Sequence, residues 1–172
     1  MGRPRRARRR LRGRAPGLRL RVCAVGRLRA GPERALVDDY AARIAKAGRA
    51  LSLGPLEVRE VDARGGGPAD EAALLLRAVP EGAALVALDE RGAALPSPGL
   101  AARLAGWRDE GRRDAAFALG GADGLDPALR ERADLVLSFG PMVWPHALAR
   151  AMLAEQLYRA VTILAGTPYH RG

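Results

Sequence analysis

The chain has 172 residues, 48% of them hydrophobic, enough for one domain with its own core and too apolar for a mainly disordered protein. Its lone cysteine, Cys23, excludes an internal disulfide and a cysteine-built zinc cage, and with only His146 and His170 as histidines no protein-ligated metal is expected. That cysteine usage points to a reducing, cytoplasmic setting, and no run approaches the roughly 20 uncharged apolar residues that would span a bilayer.

The formal charge of +10 sits mainly at one end. Eight arginines and no acid fall within residues 1–17; the other 21 basic side chains face 19 acidic ones, so the body carries about +2. Three readings of this stretch compete: a phosphate grip driven by counterion release, a disordered extension, or upstream sequence read through from a mis-chosen start. The last two are preferred, because the folded pattern begins only at Leu18. Leu11–Leu20 is broken by arginines and makes no secretory signal.

Leu18–Val25 reads as a first strand with Leu18, Leu20 and Val22 on one face, ended by Gly26. Pro32–Ala47 reads as a helix, with proline in its first turn, Leu36, Tyr40 and Ile44 one turn apart, and Gly48 as its cap. Leu56–Val61 alternates as a second strand, with Leu56 and Val58 set against Glu57 and Arg59. The Gly65-Gly66-Gly67-Pro68 loop leads to a short helix over Asp70–Val79. Ala83–Leu88 is a continuous apolar run, the mark of a strand buried on both faces. Ser97–Gly111 is helical, Ala115–Leu119 another buried strand, Asp126–Ala133 a short helix and Leu135–Phe139 a last strand. Pro145–Ala165 is the longest helix, with a stripe of Leu148, Met152, Leu157, Val161 and Leu164. Glu155 and Arg159 can pair on another face, and Gly166 and Pro168 end the helix. Strands alternating with helices at this spacing predict a single α/β domain over 18–172, a mostly parallel sheet with helices on both faces.

Ligands in such sheets bind at the carboxyl ends of strands. Three strand ends carry unusual residues: Leu88-Asp89-Glu90-Arg91-Gly92, Leu119-Gly120-Gly121-Ala122-Asp123-Gly124-Leu125, and the uncharged Phe139-Gly140-Pro141-Met142-Val143-Trp144 before His146. The glycine segment fits a tight turn as well as a close approach of ligand to backbone. It is neither the dinucleotide fingerprint nor a P-loop. The stiff uncharged segment suits a flat heteroaromatic ligand read by backbone groups; equally, Trp144 could plug the sheet edge. Thr167-Pro168-Tyr169-His170-Arg171-Gly172 groups a stacking aromatic, an imidazole and a guanidinium, suited to a nucleobase, a proton and a phosphate. No nucleophile elbow is present, so acyl chemistry is not supported.

The string Gly120-Gly-Ala-Asp-Gly-Leu125, then Leu137-Ser-Phe139, then Pro145-His146-x-x-x-Arg150-x-x-Leu153-x-Glu155-Gln156-x-Tyr158-Arg159-Ala160, ending in Pro168-Tyr169-His170-Arg171, closely resembles the RlmH family of 23S ribosomal RNA (pseudouridine1915-N3)-methyltransferases in the SPOUT superfamily. Val22–Gly26 and Leu88-Asp89-x-x-Gly92 match as well, so the resemblance covers about Leu18 to Arg171. The basic 1–17 extension lies outside the family pattern. The Val61–Gly82 connection is shorter than usual, and Glu71-Ala72 and Ala93 stand where the family has Glu-Gly and commonly a lysine.

The resemblance implies a C-terminal trefoil knot, a homodimer and S-adenosylmethionine as methyl donor, with 23S rRNA in the assembled ribosome as substrate. It implies donor contacts at Leu88, Gly120, Phe139, Gly140, Pro141, Met142, Val143 and Trp144. His170 is the first choice to handle the N3 proton of the target, with His146 as the competing base. Tyr169 would position the base, while Arg171 or Arg150 would hold RNA phosphate. In the family the tail is thought to act across the dimer interface. The rival readings are a SPOUT enzyme for a different rRNA or tRNA nucleotide, and a non-catalytic RNA-binding protein.

Overall fold

The computed structural model describes residues 17–171; the arginine-rich stretch of residues 1–16 lies outside them. The strands are β1 (Leu18–Val25), β2 (Leu53–Val61), β3 (Ala84–Ala93), β4 (Asp114–Leu119) and β5 (Leu135–Leu137). The helices are α1 (Pro32–Ala47), α2 (Pro68–Ala78), α3 (Ser97–Asp109), α4 (Pro127–Arg132) and α5 (His146–Ala165), followed by a 3-10 turn over Pro168–Arg171. The strands form one sheet in the order β2-β1-β4-β3-β5, and every pairing is parallel. All carboxyl ends therefore open on one edge.

The two-residue period sorts the core into two layers. Leu18, Leu20 and Val22 of β1 join Ala115, Phe117 and Leu119 of β4 against α1, α3 and α5. Cys23, Ala116 and Ala118 face the opposite way, with Leu75 of α2 and Leu129 of α4. All six residues of β4 are buried, which is why its sequence shows a run and not an alternation. The face predicted for β1 is the face observed.

Several expectations shift, each for a physical reason. β2 begins earlier, at Leu53, and Val58 is 37% exposed because β2 is the sheet edge. β3 continues to Ala93 because the chain leaves the sheet after Leu88 and returns to pair Ala93 with Leu137. The buried face of α5 includes Leu153, Ala154, Leu157, Ala160 and Val161, so Leu157 and Val161 of the expected stripe are core and its other members are not. Leu148 is 39% exposed and Met152 half-buried, since small alanines, not the larger side chains, let α5 lie close to its neighbours. Gly48 ends α1 in a right-handed conformation. Its glycine is needed because a Cβ would lie 2.1 Å from the Leu53 carbonyl oxygen. Gly166, at φ 72°, is the left-handed cap expected of α5.

Candidate active site

The three singled-out strand ends converge. Leu88–Arg91 after the buried part of β3, Leu119–Leu125 after β4, and Phe139, Gly140, Met142, Val143 and Trp144 after β5 line one cleft of about 380 Å³, with His146 and Ala149 of α5. Of the residues expected to touch a donor, only Pro141 is not part of the lining. Its ring sets the course of the backbone instead.

Each wall is locally fixed. The turn after β4 closes through Gly124 N–H donating to Gly121 O at 3.1 Å. It closes only because residue 120 lacks a side chain, since a Cβ there would meet Gly124 O at 2.6 Å. Glu71, in the first turn of α2, accepts the Gly121 N–H at 3.1 Å. Asp89, almost fully buried, accepts from Arg130 Nη1 at 3.0 Å and from the Arg91 N–H at 2.9 Å. That bridge ties the β3 end to α4. The Ser138 hydroxyl lies 3.2 Å from both the Glu90 and Gly140 carbonyls and accepts the Gly140 N–H at 3.0 Å. Gly140 takes a positive φ of 102°, which a side chain would resist. Beyond it the loop turns outward: Met142 is 70% and Val143 86% exposed. A second, more apolar cavity of about 500 Å³ lies across Leu137–Gly140, between the start of α3 and the middle of α5.

Arg150, expected to hold RNA phosphate, is taken up inside the fold. It is 5% exposed, and its guanidinium donates to Glu60 Oε1 at 3.1 Å and to the Val25 and Gly26 carbonyls at 2.7 and 2.8 Å. Glu60 Oε1 also accepts the Leu28 N–H at 2.8 Å. The arginine thus bolts the head of α5 to the end of β1. Burial pulls its pKa below the ordinary arginine value, and Glu60 opposes that pull.

Within one chain, the tail stands apart from the cleft. Tyr169 donates its hydroxyl to Glu155 Oε1 at 3.1 Å, lies 3.4 Å from the Tyr40 hydroxyl, and packs edge-on against Tyr158 with centroids 4.7 Å apart. The Arg159 guanidinium sits 5.0 Å from its ring centre. Burial, then the bonds to Tyr40 and Glu155, push the Tyr169 pKa well up, so it stays a neutral phenol at physiological pH. His170 Nδ1 is buried with no hydrogen-bond partner among the described residues. None of Tyr169, His170 and Arg171 lines the cleft, whereas His146 does. Sequence reasoning paired Glu155 with Arg159, as observed at 2.6 Å, but missed that Glu155 also holds Tyr169. It also missed Glu71 and the Asp89–Arg130 bridge. Glu155 stood inside the quoted motif, which was the available signal.

Among the described residues no group of three or more His, Cys, Asp or Glu is placed to hold a metal ion, and no helix is long and apolar enough to cross a membrane.

A family profile described as "Predicted SPOUT methyltransferase" matches residues 18–170. Among curated proteins, "Ribosomal RNA large subunit methyltransferase H" of Paracoccus denitrificans is 66% identical over 155 residues, covering 90% of this chain and 99% of that protein. The protein of the same name from Roseobacter denitrificans is 63% identical with the same coverage. Among solved structures, a probable methyltransferase from Bordetella pertussis aligns with a TM-score of 0.50 at 18% identity, over 84% of this chain and 95% of that one, a likeness of fold.

Proposed function

Because this chain belongs to the SPOUT methyltransferase family and is a methyltransferase, we propose that it transfers a methyl group from S-adenosylmethionine to N3 of a pseudouridine, position 1915, in 23S rRNA. The observation that carries this reading is the cleft itself. The Gly120 turn and the uncharged segment that ends at Trp144, far apart in sequence, face each other across about 380 Å³. Relatives with at least 63% identity whose name states rRNA methylation support the substrate.

The residues present fit the donor. A glycine turn with no side chain at 120 and 121, an apolar wall of Leu88, Leu119 and Phe139, and backbone groups of the 139–144 loop suit a flat adenosine without a charged partner. When bound there, the donor supplies a methyl already activated by its sulfonium, so no covalent enzyme intermediate is needed. The protein's part is alignment of a ring nitrogen with that methyl, worth about 7–11 kcal/mol when the geometry is good. The N3 proton must also leave. His170, with an unpartnered buried Nδ1, is suited to take it, and Tyr169 and Arg171 to seat the base and its phosphate. His146 stands at the cleft and is the competing base.

Since the tail of one chain stays off its own cleft, a complete site takes the tail of a second copy. Exposed Leu36, Leu148, Met142 and Val143 offer apolar surface for such a homodimer. The end of β3 returns to pair Ala93 with Leu137 of β5, and a Cβ at Gly92 would lie 2.6 Å from the Val136 carbonyl; a C-terminal trefoil knot is compatible with that return. A ribosomal substrate would place the enzyme in the cytoplasm.

The test is removal of residues 169–172. Methylation of ribosomes should fall to background while calorimetry shows donor binding nearly intact. Full turnover by the shortened chain would remove the tail from the mechanism. Mass mapping of modified nucleotides in ribosomes from cells lacking the protein identifies the target; loss of a methyl at any other nucleotide would refute the assignment.

A further inference from the structure

One carboxylate governs where the C-terminal turn sits. The Glu155 side chain is only 19% exposed, and its Oε1 accepts from Tyr169 OH at 3.1 Å and from Arg159 Nε and Nη2 at 3.0 and 2.6 Å. Its Oε2 accepts from Gln156 Nε2 at 2.9 Å. Gln156 Oε1 accepts in turn from the Ser97 hydroxyl at 2.7 Å. Ser97 opens α3, and Ser97, Gln156 and Glu155 line the cavity of about 500 Å³ whose other wall includes Phe139 and Gly140. A continuous polar chain therefore runs from the tail to the start of α3, along a cavity that shares Phe139 and Gly140 with the cleft.

A helical Glu–Arg pair one turn apart is common and by itself orders nothing beyond the helix. This one differs. The same oxygen takes a hydroxyl from 14 residues along the chain, and the neighbouring amide reaches a serine 59 residues away. The Tyr169 ring is held from two further sides, by Tyr158 and the Arg159 guanidinium. Charged acceptors make the stronger hydrogen bonds, so the carboxylate is the member that defines the arrangement.

We propose that Glu155 is a positioning residue for methyl transfer. Its carboxylate anchors Tyr169 and so sets where His170 and Arg171 are presented to the cleft of a second copy. The proposal rests on the reading that the tail handles the target base.

Single-turnover methylation of ribosomes by the full chain tests it, with Glu155→Gln, Tyr169→Phe and the double variant, alongside donor affinity by calorimetry and thermal melting. Each single substitution should slow the methylation step by about tenfold, with donor Kd within about twofold of the parent. The double variant should be no more than about twofold slower than the slower single one, because both remove the same bond. A Glu155→Gln rate equal to that of the parent overturns the proposal, as do single effects that multiply. So does a parallel loss of rate, donor affinity and melting temperature, which would mark a purely structural role. The chain ending at Pro168 separates the two ideas. If it methylates at full rate, the tail reading itself fails; if it is inactive while Glu155→Gln is not slowed, only the positioning role of Glu155 fails.

Discussion

Gly120→Ala adds one methyl group at the turn that forms a wall of the cleft. The new Cβ would stand 2.6 Å from Gly124 O, 2.8 Å from its carbonyl carbon and 3.1 Å from Leu125 Cδ2, whereas ordinary contact begins near 3.4 Å. The nearest atoms are backbone, so relief means opening the turn by about 0.8 Å. A misplacement of about 1 Å can slow a reaction about 100-fold when it depends on alignment, which corresponds to about 2.7 kcal/mol of barrier. The single-turnover methylation rate should therefore fall by about two orders of magnitude, and donor Kd measured by calorimetry should rise several-fold. Global stability should fall by about 1–3 kcal/mol, the usual cost of overpacking, which leaves the protein folded. Gly124→Ala is the control. Its Cβ would meet nothing within 4 Å, but its φ of 80° is left-handed, so it should lose about 1–2 kcal/mol of stability and much less donor affinity. A donor Kd for Gly120→Ala within about twofold of the parent would refute the reasoning, because the glycine turn would then not be a wall of the donor site.

Arg150→Ala removes one half of a buried pair and strands two carbonyls. It should destabilise by about 3–5 kcal/mol in chemical denaturation and lower every activity in proportion to folded protein; a fully stable variant with selectively weakened RNA binding would contradict the assignment. The Cys23 thiol is pushed up to about 11 by burial, against an ordinary value of 9.0. A raised folded-state pKa favours the protonated thiol, so its contribution is whole below about pH 9 and is lost as pH rises from there to about 11. Over that window the parent should lose up to about 2–3 kcal/mol more than Cys23→Ala, read from denaturation at stepped pH. Equal slopes would show that the thiol titrates normally.

The layered fold was legible because β4 and the start of β3 advertise burial on both faces, and because proline and glycine punctuate each helix. The α5 stripe was only half right, with Leu157 and Val161 buried, for a related reason. Alanines on its packed face weigh little in any apolar pattern, while Leu148 and Met152, which weigh more, sit on its flank. The buried linkage of Arg150 was not legible because its partner, Glu60, lies 90 residues away, and no local periodicity says which strand end will meet the head of α5. The three strand ends were found from their composition. Their convergence needed the parallel sheet, which brings every carboxyl end to one edge. Likewise, the union of Tyr169 with Glu155 depends on the turn at Gly166 folding the tail back along its own helix, a distance the motif spacing does not encode.

The bolt between Arg150 and the β1 terminus also constrains how this protein can vary over generations. Replacing Glu60 alone leaves a buried cation without its counter-charge, and replacing Arg150 alone leaves stranded carbonyl dipoles. Either intermediate is disfavoured, so positions 60 and 150 should drift only as a couple. Arg27 and Arg29, exposed on the loop beside them, stand outside this buried linkage.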